Sequence, residues 1–445
     1  MSYPNTIKYL NSLQCFGIKF GLNNINVLLD LLGNPHHEFK AVHIAGTNGK
    51  GSVAAFTGSI IALSGYKVGV YTSPHLVDFR ERIAVKTQSV RQEFGITEKL
   101  IPQTRVISIV SDIKRAVKHM TNVLDMNHPT YFEIITALAF RYFADENIDI
   151  LICETGMGGR LDATNACNSI ISVITNVGLE HTDVLGRRIT DIAYEKACII
   201  KKGNVVISGS RKRNVLDVIS NITKEKEAKL IDVNFEYKWR KASSDINKQT
   251  FWIRGNNYSY DNLEISLLGE HQVVNAVTAV LIAKNFHLLC FEVSKTAIKT
   301  GLSKTVWHGR FQVLRKDPLL ICDGAHNPSS ARVLKQTISE VKHDRLIFII
   351  GILKEKNYRD ILRILLSEDS TVIFTNITST DRALKPKFLA QEAQKFTSNV
   401  IVKKDISSSL KCAFQKANKN DLICVTGSLY LVGELLEVIK ENEII

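Results

Sequence analysis

The 445-residue sequence predicts an α/β protein made of two doubly wound units in series, the first carrying a small antiparallel sheet as well. Three observations predict it. Short apolar runs alternate with stretches of helical spacing, the pattern of a mostly parallel sheet with helices on both faces. The first such run, Ala41 to Ala45, leads directly through the glycine-rich loop GTNGKGS into a helix. Between about 230 and 268 the alternation yields to short aromatic and β-branched runs separated by turns, and it restarts beyond the region of 300–306.

Taken in order, residues 1–40 read as helices leading in. After the glycine loop, Val53, Phe56, Ile60, Ile61 and Leu63 recur at helical spacing, and Lys67 to Tyr71 is a second strand ending at Thr72, Ser73, Pro74 and His75. Arg80, Glu81 and Arg82 fall in a loop or short turn, and 87–128 is polar and mostly helical. Thr130 to Ala144 is an amphipathic helix, Asp149 to Cys153 a buried strand running into Glu154, and Ile170 to Thr175 a strand running into Asn176. Ile189 to Ile200 is helical and Asn204 to Ser208 a further strand. FEYKWR, QTFWIRG and NLEISLL form the antiparallel interlude, and Glu270 to Asn285 is a helix. The predicted division is a first domain over 1–299, a linker over 300–306 and a second domain over 307–445, whose strands are LLICDGAHN, LIFIIGIL, TVIFTN, NVIVKKD and LICVTGS.

The glycine loop reads as a phosphate cradle. Glycines let backbone N–H groups turn toward an anion, the helix N-terminus adds partial positive charge, and Lys50 reaches the outer phosphates. The general phosphate-loop pattern asks for a glycine six residues before the lysine and Ser or Thr directly after it. Ile44 and Gly51 stand there instead. In doubly wound sheets ligands bind beyond the carboxyl ends of the strands. The loop, Ser73, Glu154 and Asn176 all fall at such ends, so one cleft is expected to collect them.

Composition is that of a globular chain, 45% apolar and 23% charged. The net charge of +13 is scattered, without a long Lys/Arg block or interleaved aromatics, so solvated faces are its default reading, with a slight preference for small anions over a nucleic acid or an anionic membrane. The eight cysteines show no paired metal-binding spacing, and Cys153 and Cys424 sit inside apolar strands as small hydrophobes. That usage suits a reducing, cytoplasmic setting. No signal-type N-terminus appears, and no apolar run approaches the roughly 18 residues of a membrane helix.

Seven ordered motifs, HIAGTNGKGSV, YTSPHLVDFRERI, ETGMGGRLDATN, HTDVLG, EKACIIK, DGAHNP and VTGSLYLVGE, closely resemble folylpolyglutamate synthase and dihydrofolate synthase, members of the Mur-ligase group. The resemblance runs from about residue 40 to 435. It implies an N-terminal phosphate-loop ATPase domain, a short linker and a Rossmann-like C-terminal domain. It also implies an ATP- and Mg²⁺-dependent ligase that phosphorylates a carboxylate and lets the amine of L-glutamate attack the acyl phosphate. Such chemistry rests on positioning and electrostatic stabilisation rather than on a protein nucleophile.

Carried residue by residue, the resemblance places ATP on Gly46, Thr47, Asn48, Gly49, Lys50, Gly51 and Ser52, with Asn275 at the adenine, Arg310 clamping phosphate and Asp323 at the ribose. It assigns Ser73 and Glu154 to one Mg²⁺ and His181 and Lys196 to a second, with Lys196 carbamylated. Lys50, Lys196, His181 and His326 take catalytic roles. Phe132 with Glu133, and Asp162 with Ala163, fall near the pterin or folate. Read without the resemblance, Glu154 is a strand-end carboxylate in solvent, His181 a loop histidine or base, Lys196 a solvated helix lysine and Phe132 plain helix core. His308 replaces a proline usual in the family two residues before Arg310.

The expected acceptor is dihydropteroate, tetrahydrofolate or both, since the motifs serve ATP and the acyl phosphate rather than the acceptor. The expected partners are small molecules alone, with a monomeric enzyme and no nucleic acid or membrane. Two rivals remain: a Mur-type ligase acting on another acid, and a non-catalytic nucleotide- or nucleic-acid-binding protein. GTNGKGS with DGAHNP argues against the first, and the full set Ser73, Glu154, His181 and Lys196 against the second.

Overall fold

The computed structural model describes residues 2–17, 21–89, 92, 95–255 and 258–442. Among these described residues seventeen strands fall into three sheets. The first eight are β1 Lys40–Ala45, β2 Val68–Tyr71, β3 Ile83–Gln88, β4 Ile96–Leu100, β5 Ile150–Glu154, β6 Ser169–Ile174, β7 Val205–Ser208 and β8 Lys229–Asp232. They form one sheet in the order β4-β3-β2-β5-β1-β6-β7-β8. From β2 to β8 all pairs are parallel, while β3 and β4 add antiparallel at one edge. Strands β9 Lys238–Ser244, β10 Gln249–Arg254 and β11 Ser259–Ile265 make the small antiparallel sheet. Strands β12 Gln312–Lys316, β13 Leu319–Asp323, β14 Leu346–Ile350, β15 Thr371–Phe374, β16 Val400–Val402 and β17 Leu422–Thr426 make the third, in the order β12-β13-β17-β14-β15-β16 and parallel except for β12.

Helices pack on both faces of the two large sheets, as the unbroken apolar runs of their central strands require. On one face of the first sheet lies the helix Lys50–Leu63, buried from Gly51 to Leu63 between the sheet and the helices Glu270–Asn285 and Lys295–Lys304. A helix enclosed on every side is apolar all round, so its sequence carries no polar stripe. The N-terminal helices, Gln103–Asn122 and Tyr131–Asp145 cover the opposite face. Two further clusters, around Phe348 and Phe374 and around Ile349 and Leu431, sandwich the third sheet.

The expected alternation and the antiparallel interlude are present; three details differ. The stretch 87–128 was expected to be mostly helical, yet β3 ends in it and β4 lies within it before the helix Gln103–Asn122 begins. Residues 90, 91, 93 and 94 of that stretch, like 1 and 18–20 of the leading helices, lie outside the described residues. The pair β3 and β4 escapes sequence reading because β4, ITEKL, has the polar face of an edge strand. Residues 300–304, assigned to a linker, are instead the end of the helix Lys295–Lys304, with Ile298 and Leu302 buried against the first domain. Extended chain begins at Thr305, and His308 stands exposed in the turn before Arg310. The strand β8 completes the first sheet beyond β7 and was not anticipated.

Candidate active site

The carboxyl ends of β1, β2, β5 and β6 face the carboxyl ends of β13 and β17 across a cavity of about 810 Å³. Residues Thr47 to Ser52, Ser73, Glu154, His181, Asn275, Arg310, Asp323 and His326 all line it. Gly46 and Lys196 stand just behind its wall, joined by a hydrogen bond from Lys196 Nζ to the Gly46 carbonyl at 3.0 Å. The geometry thus gathers these candidate residues around one cleft.

The phosphate loop is pinned from β6. Asn176 accepts from the Asn48 amide at 2.9 Å and donates to the Asn48 carbonyl at 3.0 Å, and the Thr175 hydroxyl donates to the same carbonyl at 2.7 Å. Two glycines are forced by neighbours. Gly49 has φ +86°, and a Cβ there would stand 2.6 Å from Asn275 Oδ1. A Cβ on Gly51 would stand 2.7 Å from the ring of Trp307. The departure from the general loop pattern at Gly51 therefore has a packing cause, since the chain entering the second domain presses an indole onto the helix start.

Charge in this wall is buried and mutually engaged. Lys50 Nζ donates to the Gly46 carbonyl at 3.1 Å and stands 3.8 Å from the Glu154 carboxylate. Glu154 also accepts from the Ser73 amide at 3.2 Å. Burial raises the Glu154 carboxyl, against the pull of Lys50. Lys196 is buried and held down to about 7, by desolvation first and then by the Lys50 charge. It is no solvated helix lysine.

His181, with a left-handed backbone, stands exposed at the cleft, where desolvation by the surrounding groups lowers its imidazole despite the Glu180 charge. Glu180 is the bridge to the facing wall. Its Oε1 stands 3.3 Å from His326 Nε2 and 3.1 Å from Lys356 Nζ, and it accepts from Asn327 at 3.4 Å. Burial alone would raise this carboxyl, but the hydrogen bond and charge of His326, with Lys356, hold it well below the usual carboxylate range. Asn327 also donates to Asn48 Oδ1 at 3.0 Å, tying the second domain to the phosphate loop.

Asp323 uses both oxygens on backbone, accepting from Phe311 and Ala325 at 2.8 Å each, and burial raises it against the Arg310 charge. It shapes the wall around Arg310 while still facing the cleft. His271 lies in the first turn of the helix Glu270–Asn285, two residues after the N-cap Gly269. It is half-buried along the cleft, and its imidazole is pushed down to about 4 by desolvation and then Arg310.

A second cavity, about 310 Å³, adjoins the first and shares Ser73, Pro74 and Gly156 with it. Phe132, Glu133, Asp162 and Ala163 line it together with Arg82. Phe132 packs against the helical core and also lines this cavity. Glu133 closes a capping box with Thr130, accepting from its amide at 2.7 Å and its hydroxyl at 2.8 Å. Asp162 caps the turn Ala163–Ala166 and accepts from Met157 at 2.8 Å. Sequence reasoning missed Glu180, Lys356 and Arg382, which line the main cavity. Glu180 directly precedes the quoted motif HTDVLG, and nothing local sets Lys356 or Arg382 apart from other surface cations.

Fold and cleft together define a Mur-type ligase architecture: residues 44–283 match the Mur ligase middle domain, and 311–438 match the C-terminal domain of dihydrofolate synthetase. The chain is 30% identical over 443 residues to the dihydrofolate synthase/folylpolyglutamate synthase of Bacillus subtilis, covering 99% of each. Among solved structures it resembles folylpolyglutamate synthase from Thermotoga maritima, with TM-score 0.83 and 34% identity over 100% of this chain and 98% of that one. It also resembles E. coli FolC in complex with DHPP and ADP, with TM-score 0.84 and 28% identity over 98% of both. The chain belongs to the dihydrofolate synthase/folylpolyglutamate synthase family of the Mur ligases.

Proposed function

We propose that this protein joins L-glutamate to the carboxylate of a folate-type acceptor, with ATP as phosphoryl donor and an acyl phosphate as intermediate. One observation carries the reading. The cavity holding the phosphate loop and the cavity lined by Phe132 and Asp162 meet at Ser73, Pro74 and Gly156. An acceptor seated in the second cavity would deliver its carboxylate beside the terminal phosphate held in the first. Positioning of that kind supplies a large share of the rate in phosphoryl and acyl transfer.

In this reading Lys50 and the loop amides hold the phosphates from one wall, and Arg310 holds them from the other with a bidentate guanidinium. Asn275 and Asp323 serve adenine and ribose. Lys356 and Arg382 offer cations for the carboxylates of incoming L-glutamate, with His326 lining the same cavity. The donor chemistry fits Mg²⁺ at Ser73 and Glu154, a hydroxyl and a desolvated carboxylate, both hard oxygens. His181 and Lys196 fit a second Mg²⁺ only once Lys196 is carbamylated, because an ammonium cannot ligate and an imidazole alone suits softer ions. The low Lys196 proton affinity provides the neutral amine that carbamylation needs. Bound Mg²⁺ would neutralise phosphate charge during transfer.

The division into an ATPase unit over 1–299 and a ligase unit over 307–445 belongs to the same proposal, with the joining segment moved to the extended chain after Lys304. So does a monomer acting in the cytoplasm without nucleic acid or membrane. Among the described residues no helix is long and apolar enough to cross a membrane. The test is ADP release by purified protein with ATP, Mg²⁺ and L-glutamate, comparing dihydropteroate with tetrahydrofolate. Turnover dependent on at least one acceptor is expected, and the pattern assigns it. Silence with both, alongside measured ATP binding, overturns the folate assignment.

A further inference from the structure

Beneath the floor of the second cavity, three residues of different elements come together without any spacing signal in the sequence. His43 on β1 and Cys153 on β5 are paired in register, and Cys167 enters β6 from the turn Ala163–Ala166. A His43 ring nitrogen and the two Sγ atoms lie within 4.8 Å of one another. His43 and Cys153 are fully buried, and Cys167 is 2% exposed.

The hydrogen bonds fix the histidine tautomer. The Thr164 hydroxyl donates its one proton to Asp162 Oδ1 at 2.5 Å. Its oxygen must therefore accept from His43 Nε2, 2.8 Å away. Nε2 carries the hydrogen, so Nδ1 presents a bare lone pair, and it is buried with no hydrogen-bond partner. A buried acceptor left unmatched costs about 1–3 kcal/mol. The chain from Asp162 through Thr164 to the imidazole is the carboxylate-backed support that metal-binding histidines use to fix ring and tautomer.

We propose that His43, Cys153 and Cys167 form a buried site for a soft, thiophilic d¹⁰ ion, Cu⁺. Two sulfurs and an imidazole select Cu⁺ or Zn²⁺ over hard cations. Zn²⁺ almost always takes four ligands, or three and a water. Among the described residues no fourth His, Cys, Asp or Glu joins this cluster, and its three residues are at most 2% exposed. A metal–sulfur bond of about 2.3 Å separates two sulfurs on one ion by at most about 4.6 Å. The 4.8 Å bound on the three ligand atoms stands close to that limit. Binding is an exchange without redox change: Cu⁺ replaces the two thiol protons, which leave to solvent, and Nδ1 donates its existing pair. Because Cys153 adjoins Glu154 of the first cavity, and Cys167 follows the turn bearing Asp162 of the second, the ion would tie a wall of one cavity to a wall of the other.

The experiment uses full-length protein with the exposed Cys15 and Cys290 replaced by serine, under argon. It is incubated to constant uptake with Cu⁺ against a colorimetric Cu⁺ chelator, and with Zn²⁺ in parallel. One Cu⁺ per chain is expected, with two sulfurs and one nitrogen around copper by X-ray absorption. Cys153→Ala and Cys167→Ala should each weaken Cu⁺ retention at least a hundredfold. Thr164→Val should weaken it about tenfold, the scale on which outer-shell partners act. Retention unchanged in a chain carrying both Cys153→Ala and Cys167→Ala overturns the site. If the alanine variants do not fold, the parent spectrum decides, and sulfur-only coordination or no uptake overturns it. Tighter, four-coordinate Zn²⁺ binding overturns the choice of ion.

Discussion

The two walls of the cleft solve the same problem differently. The first-domain wall is one contiguous loop with three strand ends around it. Its charges are buried against each other, with Lys50 and Lys196 both donating to the Gly46 carbonyl and Lys50 facing Glu154. The second-domain wall is assembled from separate loops bearing Arg310, His326, Lys356 and Arg382. Of these, His326 and Lys356 converge on Glu180, a carboxylate supplied by the other domain. The first wall is organised before any ligand arrives. The second is tied to the first across the domain interface, through Glu180.

The comparison breaks most sharply at Lys50. Removing a preorganised cation from a site of this type costs about 10²–10³ in kcat. Lys50→Ala should therefore abolish most acceptor-dependent ADP release while circular dichroism and the thermal midpoint stay near wild type. Normal turnover would remove the loop from the mechanism.

Lys196→Ala should lower ligation by about 10² on the same scale, with partial rescue by small carboxylates if the carbamate is real. Full rates without added acid would exclude that role. The pH sign follows from a folded value of about 7 against 10.5 for an ordinary solvated lysine. Below about 7 the amine is an ammonium and cannot react with CO₂. Bicarbonate added to CO₂-depleted enzyme should thus restore activity at about pH 8 and fail at about pH 6, either side of that value. Between about 7 and 10.5 the unfolded chain binds more protons at this lysine, so its contribution to stability rises with pH across that window.

At the facing wall, Glu180→Ala leaves Lys356 and His326 without their carboxylate, a loss of about 1.5–3 kcal/mol for hydrogen bonds to a charged group. The expected readouts are a lower thermal midpoint, a larger radius of gyration in solution scattering and a raised KM for L-glutamate with little change in ATP binding. An unchanged radius would show that the domains close without this bridge. The smallest effect is expected at the join. Gly51→Ala meets Trp307 at 2.7 Å, an overpacking of about 1–3 kcal/mol that Trp307→Ala in the same chain should relieve. Denaturant melts of the single and double variants measure that coupling.

Most of the first wall was legible because its chemistry lies in short contiguous runs. GTNGKGS sits between a β-branched strand and an apolar helix, and Ser73, Glu154 and Asn176 each end a strand whose periodicity is plain. The edge pair β3 and β4 was not legible, since an exposed edge strand such as ITEKL lacks the apolar alternation that marks a strand. Residues 300–304 were misassigned for the opposite reason. Polar residues there hide a helix held by tertiary burial of Ile298 and Leu302.

The sequence by itself determined two α/β units, the phosphate loop and the family resemblance, because hydrophobic periodicity and turn chemistry act over a few neighbouring residues. Only the tertiary structure decided that Glu180 spans the cleft to Lys356, that Gly51 must be glycine beneath Trp307, and that His43, Cys153 and Cys167 meet. Each of these depends on residues far apart in the chain. Sheet order and domain packing bring them together, and no local preference encodes either.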